Sequence, residues 1–150
     1  MSIVLDTSFV VALMDRGDRH HDAARAVFDA TDQDFVTTPL ALAEMEHLAA
    51  RAGGPDARTA LWDDLASGVY GVRWWADGLR DALAVARAHP GLDLTDASLV
   101  ALAGRLNTTR IATLDHPRFR SLQTRDGQPF TLLPADASAP SSTDTEGPHA

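Results

Sequence analysis

Five short apolar runs of strand length, set apart by helix-length stretches along most of the chain, constrain this fold more than any other feature. They are Ile3-Val4-Leu5, Phe35-Val36-Thr37-Thr38, residues 69–74, residues 110–114 and Phe130-Thr131-Leu132-Leu133. Parallel neighbours need long crossovers, and helices supply them, so this alternation predicts a parallel or mostly parallel sheet covered by helices. The helical stretches read as 7–14, 18–30, Pro39 to about Ala52, 56–67, 77–89 and 95–106. Pro39 suits a first helical turn, and Gly53-Gly54-Pro55 stops that helix. The expected architecture is an α/β domain over residues 1–133, with a mostly parallel central sheet of four to five strands flanked by helices. Residues 134–150, rich in Ala, Ser, Asp, Thr and Pro, cannot bury a core and read as a disordered acidic tail.

Ligands of such sheets bind outside the carboxyl ends of the strands. Asp6 follows the first run directly, and Asp115 follows Arg110-Ile111-Ala112-Thr113-Leu114. Glu44 sits six positions into the helix after the second strand, and Asp96 opens the helix that feeds the fourth. Carboxylates beside apolar strands or on apolar helices must have their charge offset. Several convergent carboxylates call for a hard divalent cation, Mg²⁺ or Mn²⁺.

Each acid also has a plainer reading. Asp6 precedes Thr7-Ser8 and suits a helix N-cap; Asp115 before His116-Pro117 suits a turn. Asp93 or Thr95 can cap the 95–106 helix, leaving Asp96 to favour the helix dipole. Glu44, between Ala43 and Met45, is hardest to explain away. With His47 it matches one Glu-x-x-His motif, but di-iron bundles need two among four long helices. His20-His21 read as an exposed helix start, and Trp62, Trp74 and Trp75 as core or interface aromatics.

Composition narrows the chemistry. The chain has no Cys, which removes disulfides and thiol catalysis, and all 13 basic residues are Arg. Without Lys there is no P-loop and no Schiff base. The net charge of −8 points away from bulk affinity for nucleic acid, yet local Arg placement decides phosphate contact. No apolar run is long enough to span a membrane, and the N-terminus lacks a signal-peptide pattern, so a cytoplasmic location is expected.

Taken together, Ile3-Val4-Leu5-Asp6-Thr7-Ser8, Thr37-Thr38-Pro39-Leu40-Ala41-Leu42-Ala43-Glu44, Leu92-Asp93-Leu94-Thr95-Asp96-Ala97-Ser98-Leu99 and Ile111-Ala112-Thr113-Leu114-Asp115 resemble the PIN-domain family. The resemblance is to metal-dependent ribonucleases, and in particular to VapC toxins of VapBC toxin–antitoxin pairs. The acids recur at spacings of 38, 52 and 19 residues, in the family's order, and Phe119 follows. His116-Pro117 departs from relatives, which often carry another polar or basic residue there.

The resemblance implies that Asp6, Glu44, Asp96 and Asp115 hold one or two Mg²⁺ or Mn²⁺ ions. Thr7, Ser8 and Thr113 would orient those carboxylates. It further implies hydrolysis of RNA, tRNA or rRNA, by a metal-activated water, with a homodimer and a VapB-type antitoxin as partners. Arg110, Arg118 and Arg120, with Arg125, are the candidates for phosphate contact. Apolar helix faces at Val10, Val11, Leu13 and Met14, at Leu42, Met45 and Leu48, and at Leu61, Trp62 and Leu65 are the candidate partner surfaces or else core. The rival readings are a PIN-like binding module without turnover and a housekeeping nuclease. A HAD-type phosphatase is disfavoured because Ser8 stands where its second Asp belongs.

Overall fold

The computed structural model describes residues 1–137. In chain order the elements are β1 (Ser2–Leu5), α1 (Thr7–Met14), α2 (His21–Ala30), β2 (Asp34–Thr37), α3 (Pro39–Ala66), β3 (Gly71–Val72), α4 (Gly78–Ala88), α5 (Leu94–Leu106), β4 (Arg110–Ala112), α6 (His116–Arg120) and β5 (Thr131–Leu133). The five strands form one sheet in the order β3-β2-β1-β4-β5. Every neighbouring pair is parallel, as the alternating pattern anticipates.

β1 lies at the centre, covered on both faces, which is why Ile3, Val4 and Leu5 form an unbroken apolar run and are fully buried. Ile111, Ala112, Leu132 and Leu133 continue that core along β4 and β5. Each large aliphatic side chain removed from water there contributes about 1.5–3 kcal/mol. Beyond β2, Phe28 and Phe35 stack at 5.2 Å and close the sheet under α2.

α3 is the longest helix, and its sequence breaker acts where expected. Gly54 adopts φ 71° and ψ −162°, a backbone state open to glycine, and Pro55 follows, so α3 is two helical pieces joined by a kink. β3 is shorter than the run 69–74 suggests. Only Gly71 and Val72 pair with β2, and Trp74 and Trp75 leave the sheet edge to pack against each other at 5.3 Å. α5 ends at Asn107, whose φ of 53° is the left-handed cap that Asn tolerates.

One expectation changes. Residues 134–136 are not a free tail: the Asp136 carboxylate accepts from Arg120 Nη1 and Nη2 at 2.6 and 2.8 Å and from Leu132 N–H at 2.8 Å. That charge-assisted clamp folds the segment back as a turn after β5. The remainder of the expected tail, 138–150, lies outside the described residues. Of the apolar faces read as partner surfaces or else core, most are used within the domain. Val10, Met45 and Leu61 are buried, Leu13, Met14 and Leu65 pack against the core, and Trp62 stays 47% exposed. Among the described residues, no helix is long and apolar enough to cross a membrane.

Candidate active site

The carboxyl ends of β1, β4 and β5 fall together because the ladder runs past the strands themselves. Asp6 N–H donates to Ala112 O and Thr113 N–H to Leu133 O, both at 2.9 Å. Asp6 stands at the N-cap position of α1, but its carboxylate makes no cap bond. Instead Oδ2 accepts from Ser8 Oγ at 2.8 Å and from Thr113 Oγ1 at 2.7 Å. Those hydroxyls are themselves fixed, since Leu114 N–H donates to Ser8 Oγ at 2.9 Å and Asp115 N–H to Thr113 Oγ1 at 3.0 Å. Only 5% of Asp6 is exposed. A buried acid aimed by two hydroxyls does more than cap a helix.

Asp96 lies in the first turn of α5, 3% exposed. Capping falls to Asp93, whose Oδ1 accepts from Asp96 N–H at 2.8 Å. Burial, then the charge of Asp93, and also that of Asp6, push the Asp96 carboxyl up to about 6, against the pull of Arg118. Arg118, on α6, donates through Nη1 to Asp96 Oδ2 at 2.8 Å and pairs through Nε with Asp115 Oδ2 at 2.7 Å. One guanidinium thus joins two of the four acids, and Asp6 lies near enough to Asp96 to be felt.

The remaining site candidates divide. Glu44 is half-buried on the second turn of α3. Among the described residues no three acids or histidines are spaced to share one ion, so the four acids do not close into a single cluster. Arg118 fills the space between Asp96 and Asp115. Thr7 does not orient an acid: it is buried and its hydroxyl donates to Ala41 O at 3.5 Å, tying α1 to α3. Ser8 and Thr113 do so alone.

Arg110 opens β4, at the sheet edge away from the acids, and donates to Gln33 Oε1 at 2.9 Å. Arg120 is held by Asp136. Arg125 lines a groove with Arg80 and Arg105 between α4, α5 and the loop before β5. Arg118 alone of the four stands among the acids.

Two positioning residues escaped the sequence reading. Thr38 caps α3, accepting from Ala41 N–H at 3.3 Å, and its Oγ1 lies 2.8 Å from Ser98 Oγ on α5. Ser98 also donates to Thr95 O at 2.6 Å. This fully buried pair sets the helix carrying Glu44 against the helix carrying Asp96. Thr before Pro39 is a cap signal, and a lone Ser between Ala97 and Leu99 marks a buried hydroxyl needing a partner.

A model of the PIN domain matches residues 3–123. The chain belongs to the PIN-domain family. Ribonuclease VapC26 of Mycobacterium tuberculosis (strain ATCC 25618 / H37Rv) is 30% identical over 135 residues, covering 88% of this chain and 100% of that protein. The crystal structure of Mycobacterium tuberculosis VapC20, named a sarcin–ricin loop cleaving toxin, superposes with a TM-score of 0.70 at 25% identity, over 76% of this chain and 90% of that one. VapBC2 from Rickettsia felis, solved on a DNA fragment from its promoter, shares the fold at TM-score 0.63 and 12% identity, over 88% of this chain and 98% of that one. These relatives place the chain among VapC-type PIN domains.

The donor chemistry of this PIN site suits a hard divalent ion. Its acids offer only oxygen, two of them are nearly closed to solvent, and Asp96 holds its proton more tightly than usual even with a guanidinium on it. A single positive charge under-compensates the carboxylates gathered here. A divalent charge would relieve that excess.

Proposed function

We propose that this PIN domain is a metal-dependent endoribonuclease, the toxin of a type II toxin–antitoxin pair, hydrolysing tRNA or rRNA with Mg²⁺ or Mn²⁺. The observation that carries the reading is the buried pair Asp6 and Asp96 at the carboxyl edge of the sheet. The first is aimed by two hydroxyls and the second by the start of α5. Helix capping does not account for this pair, since Asp93 caps α5 and the Asp6 carboxylate makes no cap bond.

Asp6, Asp96 and Asp115, with Glu44 on α3, would be drawn in around the ion, since they stand too far apart here to share it. The ion supplies Lewis-acid polarisation of the scissile phosphate and a lower pKa for attacking water. Ser8 and Thr113 keep the Asp6 carboxylate from rotating. Asp93 fixes the first turn of α5 and so the depth of Asp96. Arg118, half-exposed beside these acids, is placed to meet a phosphate oxygen of the substrate. The chain has no Lys to act as a base.

The exposed Trp62, Val69 and Trp74, with Leu79 and Leu83 on α4, are apolar surface available to a homodimer or a VapB-type antitoxin. The VapC26 and VapC20 likenesses support RNA as substrate. The test is cleavage of total cellular RNA by the purified chain, with ends mapped across tRNA and the large rRNA. Discrete cuts that need Mg²⁺ or Mn²⁺ and vanish with Asp6→Asn are expected. Undiminished cutting in excess EDTA would overturn the metal reading; no cutting of any RNA would favour a binding module.

A further inference from the structure

Arg118 is the cation the acids hold in this structure, and its setting differs from that of the other arginines. Two of its nitrogens go to two different site carboxylates, to Oδ2 of Asp96 and Oδ2 of Asp115. Asp96 and Asp115 are two of the acids that would hold a divalent ion. Guanidinium does not lose its proton in proteins, so Arg118 stays a cation that competes for these carboxylates at any working pH.

The backbone that carries Arg118 is anchored. Phe119, the next residue, is fully buried, and Arg120 is clamped to Asp136 on the turn after β5. The Arg118 side chain, by contrast, is 50% exposed, while the Asp96 side chain it covers is 4% exposed. It can therefore swing into solvent by rotamer changes, without opening the core or moving α6. Arg120 cannot replace it while paired with Asp136.

We propose that Arg118 is a resident counter-cation: it occupies the Asp96–Asp115 position in the metal-free protein and is displaced when a divalent ion binds. The proposal rests on the metal-dependent reading above. Two cations cannot share the same carboxylate oxygens without repulsion, so guanidinium and metal compete. The guanidinium keeps the buried acids from being left uncompensated while no metal is present. Once displaced, it becomes the free positive group nearest the site, available to a phosphate, so that metal and RNA favour each other's binding.

The experiment is a calorimetric titration of Mn²⁺ into the metal-stripped full chain, for wild type, Arg118→Gln and Arg118→Lys. Charge-assisted hydrogen bonds to a buried acid are strong enough that Arg118→Gln is expected to bind Mn²⁺ about tenfold more tightly. Arg118→Lys, which keeps the charge on a single donor group, falls between the two. Thermal unfolding gives a second readout. Arg118→Gln should melt below wild type in EDTA, and that deficit should close at saturating Mn²⁺, whereas a merely structural role would leave it in both. Mn²⁺ binding by Arg118→Gln equal to or weaker than wild type overturns the counter-cation role and leaves the metal reading standing. No Mn²⁺ binding by any form overturns both.

Discussion

Thr113 and Asp6, 107 positions apart, are joined by a 2.7 Å hydrogen bond from hydroxyl to carboxylate across the β1–β4 seam. The same Thr113 oxygen accepts from Asp115 N–H at 3.0 Å, so one buried hydroxyl sets two of the acids. Thr113→Val keeps the shape and removes both bonds. It should cost about 1–3 kcal/mol of stability, as for other buried groups left unpaired. RNA cleavage should fall by more than it does in Thr7→Val, whose hydroxyl serves only the Ala41 carbonyl. Equal activities for the two variants would show that Thr113 does not orient the acids.

The raised proton affinity of Asp96 gives a signed dependence on pH. Its carboxyl titrates near 6 in the folded chain against 3.8 for an ordinary Asp, so between those values the folded state binds more protons than the unfolded. Stability from this group is therefore greatest below pH ~4, declines as pH rises through the window, and is at its lowest above about 6. Asp96→Asn removes that penalty while abolishing cleavage. Without metal, the variant should exceed wild type by on the order of 1 kcal/mol at pH 7.5, a few degrees in Tm, and converge with it near pH 4. A difference that does not change with pH would defeat the assignment.

Thr38→Val breaks the α3 cap and the contact with Ser98. The expected loss is about 1–2 kcal/mol in urea unfolding, at the upper end for an N-cap because the hydroxyl is buried. Ser98→Ala should cost a similar amount, and the double variant should cost less than the two losses combined, since they share one contact. Full additivity would mean that the two hydroxyls act independently.

A chain ending at Ala137 should fold and cleave as well as the full one. Ending it at Ala135 removes Asp136, frees Arg120 and leaves Leu132 N–H without its side-chain partner. The pair is largely solvent-exposed, so the expected loss of stability is small, with cleavage retained. Chemical denaturation of the two truncations side by side reads the difference. Identical midpoints would show that the clamp adds nothing.

The local code was strong where periodicity and breakers speak for themselves. Ile3-Val4-Leu5 had to be a central strand, because only burial on both faces tolerates an unbroken apolar run. Gly54 had to break α3, and parallel order followed from strands alternating with helices. Even the ambiguity at Asp93 and Asp96 was visible in the sequence, and geometry resolved it in favour of Asp93 as the cap. What tertiary structure alone decided is which side chains meet. The order β3-β2-β1-β4-β5 brings Thr113 to Asp6 and leaves Thr7 facing α3. Arg118 and Arg110 look alike beside Asp115 in sequence. A five-residue helix carries the first back onto Asp96, while the strand start carries the second to the opposite edge, against Gln33. Helix caps and hydrophobic periods depend on neighbours a few residues away, so sequence carries them openly. Pairing between distant side chains depends on how the sheet closes, and no local pattern encodes that.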